Sequence, residues 1–472
     1  MRVEQLTLQH FRGYDNTTFD FKSGMNLLVG VNGAGKSSVL EALRLLLSHM
    51  LPVISASKDK PFNAREDDIA VGAERLYANL RIEISDVAME EDMRVWRRAD
   101  EGASGVLETG DVIAEGSADD IVGEERTAEP QGQRKNDYRF LGVSDDRQQR
   151  DDAGSSISPV EQKQRNDRRK QEIESLPKKL RRAIEQVPAI YFSAHRSLIN
   201  VADETKRERS IGGQAAAFVD ALDPERQLKV AEFARWWVVF ESLTRDPDAA
   251  VAARATAQKQ AFEQAVTHFL DGFTNVQAVD KPKPTLLLNK AGTTLDVRML
   301  SDGERSMLAI VLDIARRLSQ ANPQLGDPLR EGQAIVLIDE LDLHLHPQWQ
   351  RMIVQKLTET FPQCQFIATT HSPQIIGEVA PEQIIILEVG KQPYQPDQSL
   401  GMDSNWILQF LMGTPNRNVT TNQQLERISD LIEDAEYEQA ATEIAKLRQR
   451  MPDDPELVKL QVRLARMQIL GT

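Results

Sequence analysis

Residues 25–38 read MNLLVGVNGAGKSS, an apolar strand that runs into a glycine-rich loop. The segment from Gly30 to Ser37 fits the pattern GxxxxGK[ST]. Glycines let backbone N–H groups approach a phosphate, the lysine neutralises it, and the serine hydroxyl is a ligand for Mg²⁺. A helix from Ser37 to about residue 47 would point its positive end at the same anion. The pattern predicts an ATP and Mg²⁺ site that includes Asn32, Gly33, Ala34, Gly35, Lys36, Ser37 and Ser38.

A second apolar strand, Ile335–Ile338, delivers Asp339 and Glu340 at its carboxyl end. An Asp at this place holds Mg²⁺, and the next acid can accept a proton from the attacking water. Two adjacent acids make a poor structural feature, because unpaired buried charge is costly. We therefore expect Asp339 and Ser37 to be metal ligands and Glu340 to be the catalytic base.

The segment LSDGE, residues 300–304, precedes an apolar helix over residues 307–318. Ser301 and Glu304 have the spacing of a capping box, which satisfies backbone N–H groups at the start of a helix. A capping box does not explain the glycine between them, whereas a glycine beside a helix start permits close approach of a phosphate. We expect nucleotide contacts from Ser301, Asp302, Gly303 and Glu304.

His371 follows a further apolar strand in FIATTHSP, residues 366–373. A lone histidine is more often structural, but its place in series with the other motifs favours a catalytic role in sensing the γ-phosphate. Asp342 is expected at a subunit contact beside the ATP. Arg12 and Arg196 are candidates for contact with the nucleotide or the opposite site, although exposed arginines are usually only solvated.

His344 and His346 have the i, i+2 spacing of one face of a strand. A zinc site needs three or four ligands, and neither a cysteine nor a third histidine lies near them. The sequence therefore argues against zinc at this pair. Pro347 is expected to start a helix.

The chain has 472 residues, a net charge of −15 and one cysteine, Cys364. It contains no apolar run of membrane-spanning length, and its start, MRVEQLTLQHFRGY, lacks the apolar centre of a signal peptide. We expect a cytoplasmic protein with no membrane partner. The acidic charge makes it a poor general binder of nucleic acid.

Lys36 and Ser301 are 265 positions apart in the sequence, which implies a large insertion in one nucleotide-binding core. The composition predicts an α/β fold built from residues 1–98 and 285–400. Residues 99–175 are charged and poor in apolar residues, which predicts a mobile insertion. Residues 176–284 are expected to form a mainly helical insertion domain, although VPAIYF at 187–192 has the pattern of a buried strand. Residues 401–472 predict a helical tail for assembly or partner docking, similar to one tetratricopeptide unit, which must pack on the core or on another subunit.

These motifs together resemble the ABC-type ATPases of the SMC and RecF group. The resemblance covers roughly residues 1–98 and 290–390 and implies an ABC-type P-loop ATPase head. It also implies a head-to-tail homodimer or higher oligomer, in which each ATP lies between the Lys36 loop of one subunit and the Ser301 motif of the other. SDGE differs from the SGGQ of transporters, which argues against a transporter subunit. The glutamine loop of the group is not recognisable, and FNAREDD at 62–68 is the candidate for it.

The segments IDELDLHLHPQWQ (338–350) and DSNWILQFLMGTPNRN (403–418) look like a narrower set. These are the anti-phage defence ATPases represented by the Septu ATPase PtuA, also found beside some retrons. The resemblance implies a separate HNH nuclease partner similar to PtuB and leaves room for contact with nucleic acid, including retron RNA or DNA. Two alternatives stay open: a RecF-like or SMC-like ATPase for DNA repair or clamping, and an OLD-like nuclease. The helical tail shows no strand-borne E…DxD cluster, so intrinsic nuclease activity is not expected.

Overall fold

The computed structural model describes residues 1–84, 87–96, 137–144, 178–183, 185–196, 198–199, 213–279, 283–415 and 417–470. The chain divides into two units, Met1–Gly401 and Met402–Thr472. The predicted charged insertion, residues 99–175, lies outside the described residues except for 137–144.

A parallel five-stranded sheet carries the glycine loop in the first unit. Its strand order is β15-β3-β14-β13-β7. The strands are rich in Ile, Leu and Val and fully buried, as expected for a parallel sheet covered on both faces. Their bounds are β3 Met25–Gly30, β7 Ala189–Phe192, β13 Ile335–Ile338, β14 Gln365–Thr370 and β15 Ile384–Leu387. Because β3 lies between two strands from the far end of the chain, the predicted assembly of an α/β head from both segments is confirmed.

An antiparallel sheet from the N-terminal segment has the order β2-β1-β4-β5-β6. The strands are β1 Arg2–Phe11, β2 Tyr14–Asp20, β4 Arg75–Ile84, β5 Val87–Trp96 and β6 Asp137–Ser144. The turn between β1 and β2 falls at Arg12–Gly13. Within the predicted mobile insertion, residues 99–175, the structure describes β6, whose backbone pairs with β5.

The helix α1, Lys36–Ile54, lies between the two sheets and contacts β4 and β5 as well as β3, β13 and β14. It runs seven residues beyond the predicted end near residue 47, because Met50, Leu51 and Ile54 continue to bury apolar surface. By length and composition it is apolar enough to cross a bilayer, but 67% of that stretch is buried inside the protein. It is the central core helix of this unit.

The region between the two halves of the head mixes helices with strands. The strand expected from VPAIYF is β7, and it joins the parallel sheet rather than a separate helical domain. Within the region predicted to be mainly helical, residues 176–284, two helices pack through Trp236, Trp237, Phe240 and Phe262. The elements are β8 Leu198–Ile199, β9 Leu228–Lys229, α2 Val230–Leu243, α3 Ala249–Phe269, β10 Phe273–Val279, β11 Thr285–Lys290 and β12 Thr293–Asp296. The last two strands form an antiparallel hairpin.

The helix after LSDGE is almost entirely buried. It is α4, Asp302–Ala321, and the helices after it in this unit are α5 Pro328–Glu331, α6 Pro347–Thr360 and α7 Pro373–Ile376. Asp313 on α4 is fully buried and accepts hydrogen bonds from Arg226 (2.5 Å) and Arg317 (3.0 Å). Burial would raise the pKa of the Asp313 carboxyl, but the arginine charges outweigh burial and hold it below its usual range. This ion cluster ties α4 to the segment before α2, since Arg317 also donates to the Ala217 carbonyl (2.7 Å).

The second unit is helical. It contains α8 Ser404–Trp406, a π-helical turn at Ile407–Leu411, α9 Val419–Glu433, α10 Tyr437–Arg450 and α11 Pro455–Leu470. The last three helices form their own apolar core, which includes Leu425, Ile428, Ile444, Leu447 and Leu460.

Candidate nucleotide site

The glycine loop joins β3 to α1 and has the backbone that phosphate binding needs. Gly33 and Gly35 have φ of +82° and +93°, which L side chains rarely adopt. A Cβ on Gly35 would lie 2.5 Å from the Tyr14 hydroxyl oxygen, so this position also excludes larger residues by space. The loop and the helix start thus have the backbone of an anion cradle, and phosphate binding there stays a prediction.

Lys36 turns its ammonium group back onto the loop. Its Nζ donates to the carbonyl oxygens of Gly30 (2.9 Å) and Val31 (3.0 Å). Burial lowers the pKa of Lys36, while Asp339, Asp342 and Glu340 oppose that shift. The lysine is therefore held at the mouth of the cradle, with three carboxylates in electrostatic range.

Two hydroxyl groups converge on Asp339. Its Oδ1 accepts hydrogen bonds from Ser37 Oγ (3.1 Å) and Thr369 Oγ1 (2.7 Å). Thr369 Oγ1 in turn accepts the Glu340 backbone N–H at 2.7 Å. The structure thus brings together the serine and the acid predicted as metal ligands and fixes the predicted base beside them. The parallel register, Ile338 opposite Ala368, could have located Thr369 once β13 and β14 were known to be neighbours.

Glu340 has a left-handed backbone, with φ of +50°. A residue other than glycine or asparagine in this conformation is costly, and such strain is found at functional sites. The guanidinium of Arg196 donates to the main-chain carbonyl oxygens of both Asp339 and Glu340, the latter at 2.6 Å. Arg196 is only 4% exposed, and burial lowers its pKa to about 10. Its contact is with the backbone of the acidic pair, which differs from the nucleotide contact suggested by sequence.

The Asp342 carboxylate binds the end of β14 within the same subunit. Its Oδ1 accepts from Thr370 Oγ1 (2.6 Å) and from the His371 N–H (3.1 Å). Burial, and next the charge of Lys36, lower the pKa of His371, so its imidazole is held neutral and in range of the glycine loop. The predicted subunit contact of Asp342 stays a prediction. His344 and His346 do not share a strand: His344 lies in a turn and His346 caps α6 by accepting from the Gln348 N–H.

The LSDGE segment starts α4 with the predicted capping box. Ser301 Oγ accepts from the Glu304 N–H (3.3 Å), and Glu304 Oε2 accepts from the Ser301 N–H (2.9 Å). Lys290 also donates to Glu304 (3.1 Å), and Ser301 and Asp302 are exposed.

Gly303 has a packing reason that the sequence did not reveal. A Cβ there would lie 2.5 Å from the His344 carbonyl oxygen and 3.1 Å from the Trp349 ring. The glycine therefore lets the start of α4 touch the loop that follows Glu340. Phosphate approach at Gly303 stays a prediction.

Arg12 faces a carboxylate in the described structure. Its Nε donates to Asp68 Oδ1 at 2.8 Å, and its backbone N–H donates to the Asp68 carbonyl at 2.7 Å. Asp68 belongs to FNAREDD, whose last three residues form a 3₁₀ turn. Arg12, with Asp339 and Glu41, also lies in electrostatic range of the Tyr191 phenol, so the turn after β1 is close to the site. The nucleotide contact of Arg12 and the role of 62–68 stay predictions.

A glycine loop, a buried lysine and an acidic pair on a parallel strand of the same sheet, separated from the loop's strand by β14, define a P-loop ATPase. The chain matches the family model of the AAA ATPase domain over residues 1–376 and belongs to that family.

The chain is also similar to known ATPases of defence systems. The protein named Retron Ec83 probable ATPase, from Escherichia coli, is 27% identical over an alignment of 490 residues, gaps included, that covers 98% of this chain and 86% of that protein. The Septu protein PtuA of Bacillus thuringiensis is 30% identical over 137 residues, 28% of this chain and 35% of that protein. The solved SMC head bound to the C-terminal winged-helix domain of ScpA matches with a TM-score of 0.42 and 14% identity, over 84% of this chain and 98% of that one. The likeness to retron and Septu ATPases read from the motifs is confirmed.

Proposed function

We propose that this chain hydrolyses ATP at a site completed by a second copy of itself, and that the ATP-bound assembly regulates a nuclease in anti-phage defence. The observation that carries the ATPase chemistry is the convergence of Ser37 and Thr369 on Asp339, with Glu340 anchored to the same threonine. These bonds join the glycine loop, the acidic pair and the end of β14 in one site.

ATP binding is assigned to the loop from Asn32 to Ser38. Asn32, Gly33 and Ser37 are exposed, so the cradle is open to a ligand. In the described state Lys36 is held by two neutral carbonyls, Gly30 and Val31. A phosphate is a stronger partner for an ammonium than a neutral carbonyl, because both partners are charged. Lys36 would therefore exchange those bonds for the β- and γ-phosphates.

The residues around Ser37 suit Mg²⁺. Ser37 and Asp339 offer only oxygen atoms, the ligand type that Mg²⁺ prefers, and leave positions for phosphate oxygens and water. When bound, Mg²⁺ would neutralise charge on the phosphates. Thr369 holds the Asp339 carboxylate toward Ser37 and so preorganises the two ligands.

Glu340 is proposed as the base that accepts a proton from the attacking water. Its backbone is held by the Thr369 hydroxyl at the N–H and by Arg196 and the Leu343 N–H at the carbonyl. His371 is proposed to donate a hydrogen bond to the γ-phosphate, since burial and the charge of Lys36 lower its pKa and so favour the neutral imidazole.

The second copy is proposed to supply Ser301, Asp302, Gly303 and Glu304. The exposed Ser301 and Asp302 lie at the start of a helix, where partial positive charge favours an anion. Asp342 is proposed to lie at the resulting subunit contact. A dimer would thus contain two equivalent sites, each built from both copies.

The defence role comes from relatives. The Escherichia coli relative is named as a retron ATPase, and the shorter match is a Septu protein. We propose a small HNH nuclease, similar to PtuB, as the partner, with retron nucleic acid as a further contact. Co-expression of this chain with a small HNH nuclease similar to PtuB tests the proposal. Stable co-purification, and no DNA cleavage by the ATPase alone, are expected. DNA cleavage by the purified ATPase would contradict it, and so would ATP-dependent duplex binding without any nuclease partner.

Glu340→Gln tests the catalytic assignment. The amide keeps the size of the side chain but cannot accept a proton from water, so ATP should bind without turnover and trap the dimer. We expect hydrolysis to fall at least about 100-fold, since a general base contributes about 10²–10⁴. Phosphate release measures hydrolysis, and analytical ultracentrifugation with ATP measures dimerisation. Unchanged turnover would show that Glu340 is not the catalytic base.

A further inference from the structure

The side chain of Gln350 on α6 connects two segments that lie on either side of it. Its Oε1 accepts the Ser372 hydroxyl at 2.8 Å. Its Nε2 donates to the carbonyl oxygens of Leu345 (3.0 Å) and Asp342 (3.4 Å). One planar amide thus holds the residue after His371 on one side and the 341–346 loop on the other.

The 341–346 loop (Leu341 to His346) also touches the start of α4. A Cβ on Gly303 would lie only 2.5 Å from the His344 carbonyl oxygen, too close for any side chain. His344 has φ of +64°, so its carbonyl is aimed by a backbone that few residues adopt. Only a glycine fits at position 303, so the 341–346 loop and the start of α4 lie in close contact. Movement of the 341–346 loop must therefore move or release the start of α4.

The beginning of the 341–346 loop is hydrogen-bonded to residues 370 and 371 at the end of β14. The Asp342 carboxylate accepts from Thr370 and from the His371 N–H. Ser372 is 4% exposed and caps α7 through a hydrogen bond from the Ile375 N–H at 3.2 Å. Hydrogen bonds therefore join residues 370–372 to Asp342, to Gln350 and to the start of α7.

We propose that Gln350 is a positioning residue that couples ATP at the Lys36 loop to the Ser301 motif of the same subunit. This inference rests on the proposed function, in which His371 meets the γ-phosphate and Ser301 serves the ATP of the second copy. Binding shifts residues 371–372, the Gln350 amide carries that shift to the 341–346 loop, and the loop sets the start of α4. Gln350 touches no nucleotide and acts through these backbone groups.

The test uses the full chain in the Glu340→Gln background, which retains ATP. Gln350→Met keeps the length of the side chain but removes all three hydrogen bonds. Gln350→Glu keeps an acceptor for Ser372 and replaces the donor that holds the two carbonyls. Gln355→Met is the matched control, because Gln355 lies on the exposed side of the same helix and its side chain bonds only to Glu359 among the described residues (2.7 Å).

ATP affinity, melting temperature without nucleotide, and ATP-dependent dimerisation by sedimentation are measured for each variant. We expect both Gln350 variants to bind ATP as the parent does and to dimerise about tenfold more weakly, the scale of a coupling between two sites. The Gln355 variant should match the parent in all three measurements.

Two results would overturn the inference while leaving the proposed function intact. One is dimerisation of both Gln350 variants at parental strength. The other is a parallel loss of ATP affinity, melting temperature and dimerisation, which a merely structural role would produce. If the parent Glu340→Gln protein stays monomeric with ATP, the proposed dimer and the coupling fall together.

Discussion

Replacing Arg196 with methionine should slow hydrolysis without removing ATP binding. Arg196 donates to the carbonyls of Asp339 and Glu340, and each hydrogen bond from a charged group contributes about 1.5–3 kcal/mol. Without them the left-handed backbone of Glu340 keeps the Thr369 hydroxyl at its N–H and the Leu343 N–H at its carbonyl, but loses the guanidinium. A displacement of about 1 Å at a catalytic group can lower the rate about 100-fold, or about 2.7 kcal/mol in barrier. We expect kcat to fall by that factor.

The assay separates positioning from folding. Steady-state ATP hydrolysis gives kcat and KM, and KM should change less than about threefold because the Lys36 loop is untouched. Melting temperature should fall, since the two carbonyls lose a buried donor, so rates are measured well below it. Arg196→Lys should recover little, because an ammonium cannot span two carbonyls as the planar guanidinium does. Arg351→Met is the control, since Arg351 forms only an exposed pair with Glu378 among the described residues.

Two outcomes would refute the reasoning for Arg196. Unchanged kcat in a folded Arg196→Met protein would show that the guanidinium does not position the base. A large rise in KM with unchanged kcat would mean that Arg196 contacts the nucleotide instead, as the sequence alone suggested.

Three further substitutions test other parts of the account. Lys36→Ala should weaken ATP binding about 100-fold by calorimetry, because a charge-assisted phosphate bond is lost; full affinity would refute the loop assignment. Gly303→Ala should lower stability by about 1–3 kcal/mol and impair ATP-dependent dimerisation, because the new methyl meets the His344 carbonyl; an unperturbed melting temperature would count against that contact. Burial, and next the charge of Asp92, raise the pKa of Glu91 to about 8, so its protonated form stabilises the fold fully below pH 4.5 and that stability is lost as pH rises through 8. In urea melts, the fall in the free energy of unfolding between pH 6 and pH 9 should be smaller in Glu91→Gln than in the wild type by a few kcal/mol. An equal fall in both proteins would contradict the burial of this carboxyl.

The nucleotide site was predictable because its motifs are local. Gly30–Ser37 fixes its own turn and helix, and Ile335–Ile338 can only be a buried strand with acids at its end. Parallel strands place their carboxyl ends at one edge, so the approach of Asp339 to Ser37 follows once β3 and β13 lie in one sheet, on either side of β14. The capping box at Ser301 was equally local.

The supporting groups were not predictable, because they depend on which distant segments meet. Thr369 and Gln350 carry no motif, and their roles come from strand register and from the packing of α6. Gly303 illustrates the limit best: the sequence marks it as unusual, but the reason is a carbonyl 41 positions further along the chain. In the same way, β7 follows a long insertion, and only the assembled sheet shows that it belongs beside β13.

Mixing two inactive variants tests most directly whether each ATP site is shared between subunits. Lys36→Ala removes the phosphate cradle, and Ser301→Arg blocks the motif at the start of α4. A mixed dimer would contain one site with both defects and one intact site. If sites are shared, the mixture should recover up to about a quarter of wild-type hydrolysis, as random pairing of two equivalent copies gives. If mixing restores no hydrolysis although mixed dimers form, each site lies within one subunit and the account is wrong.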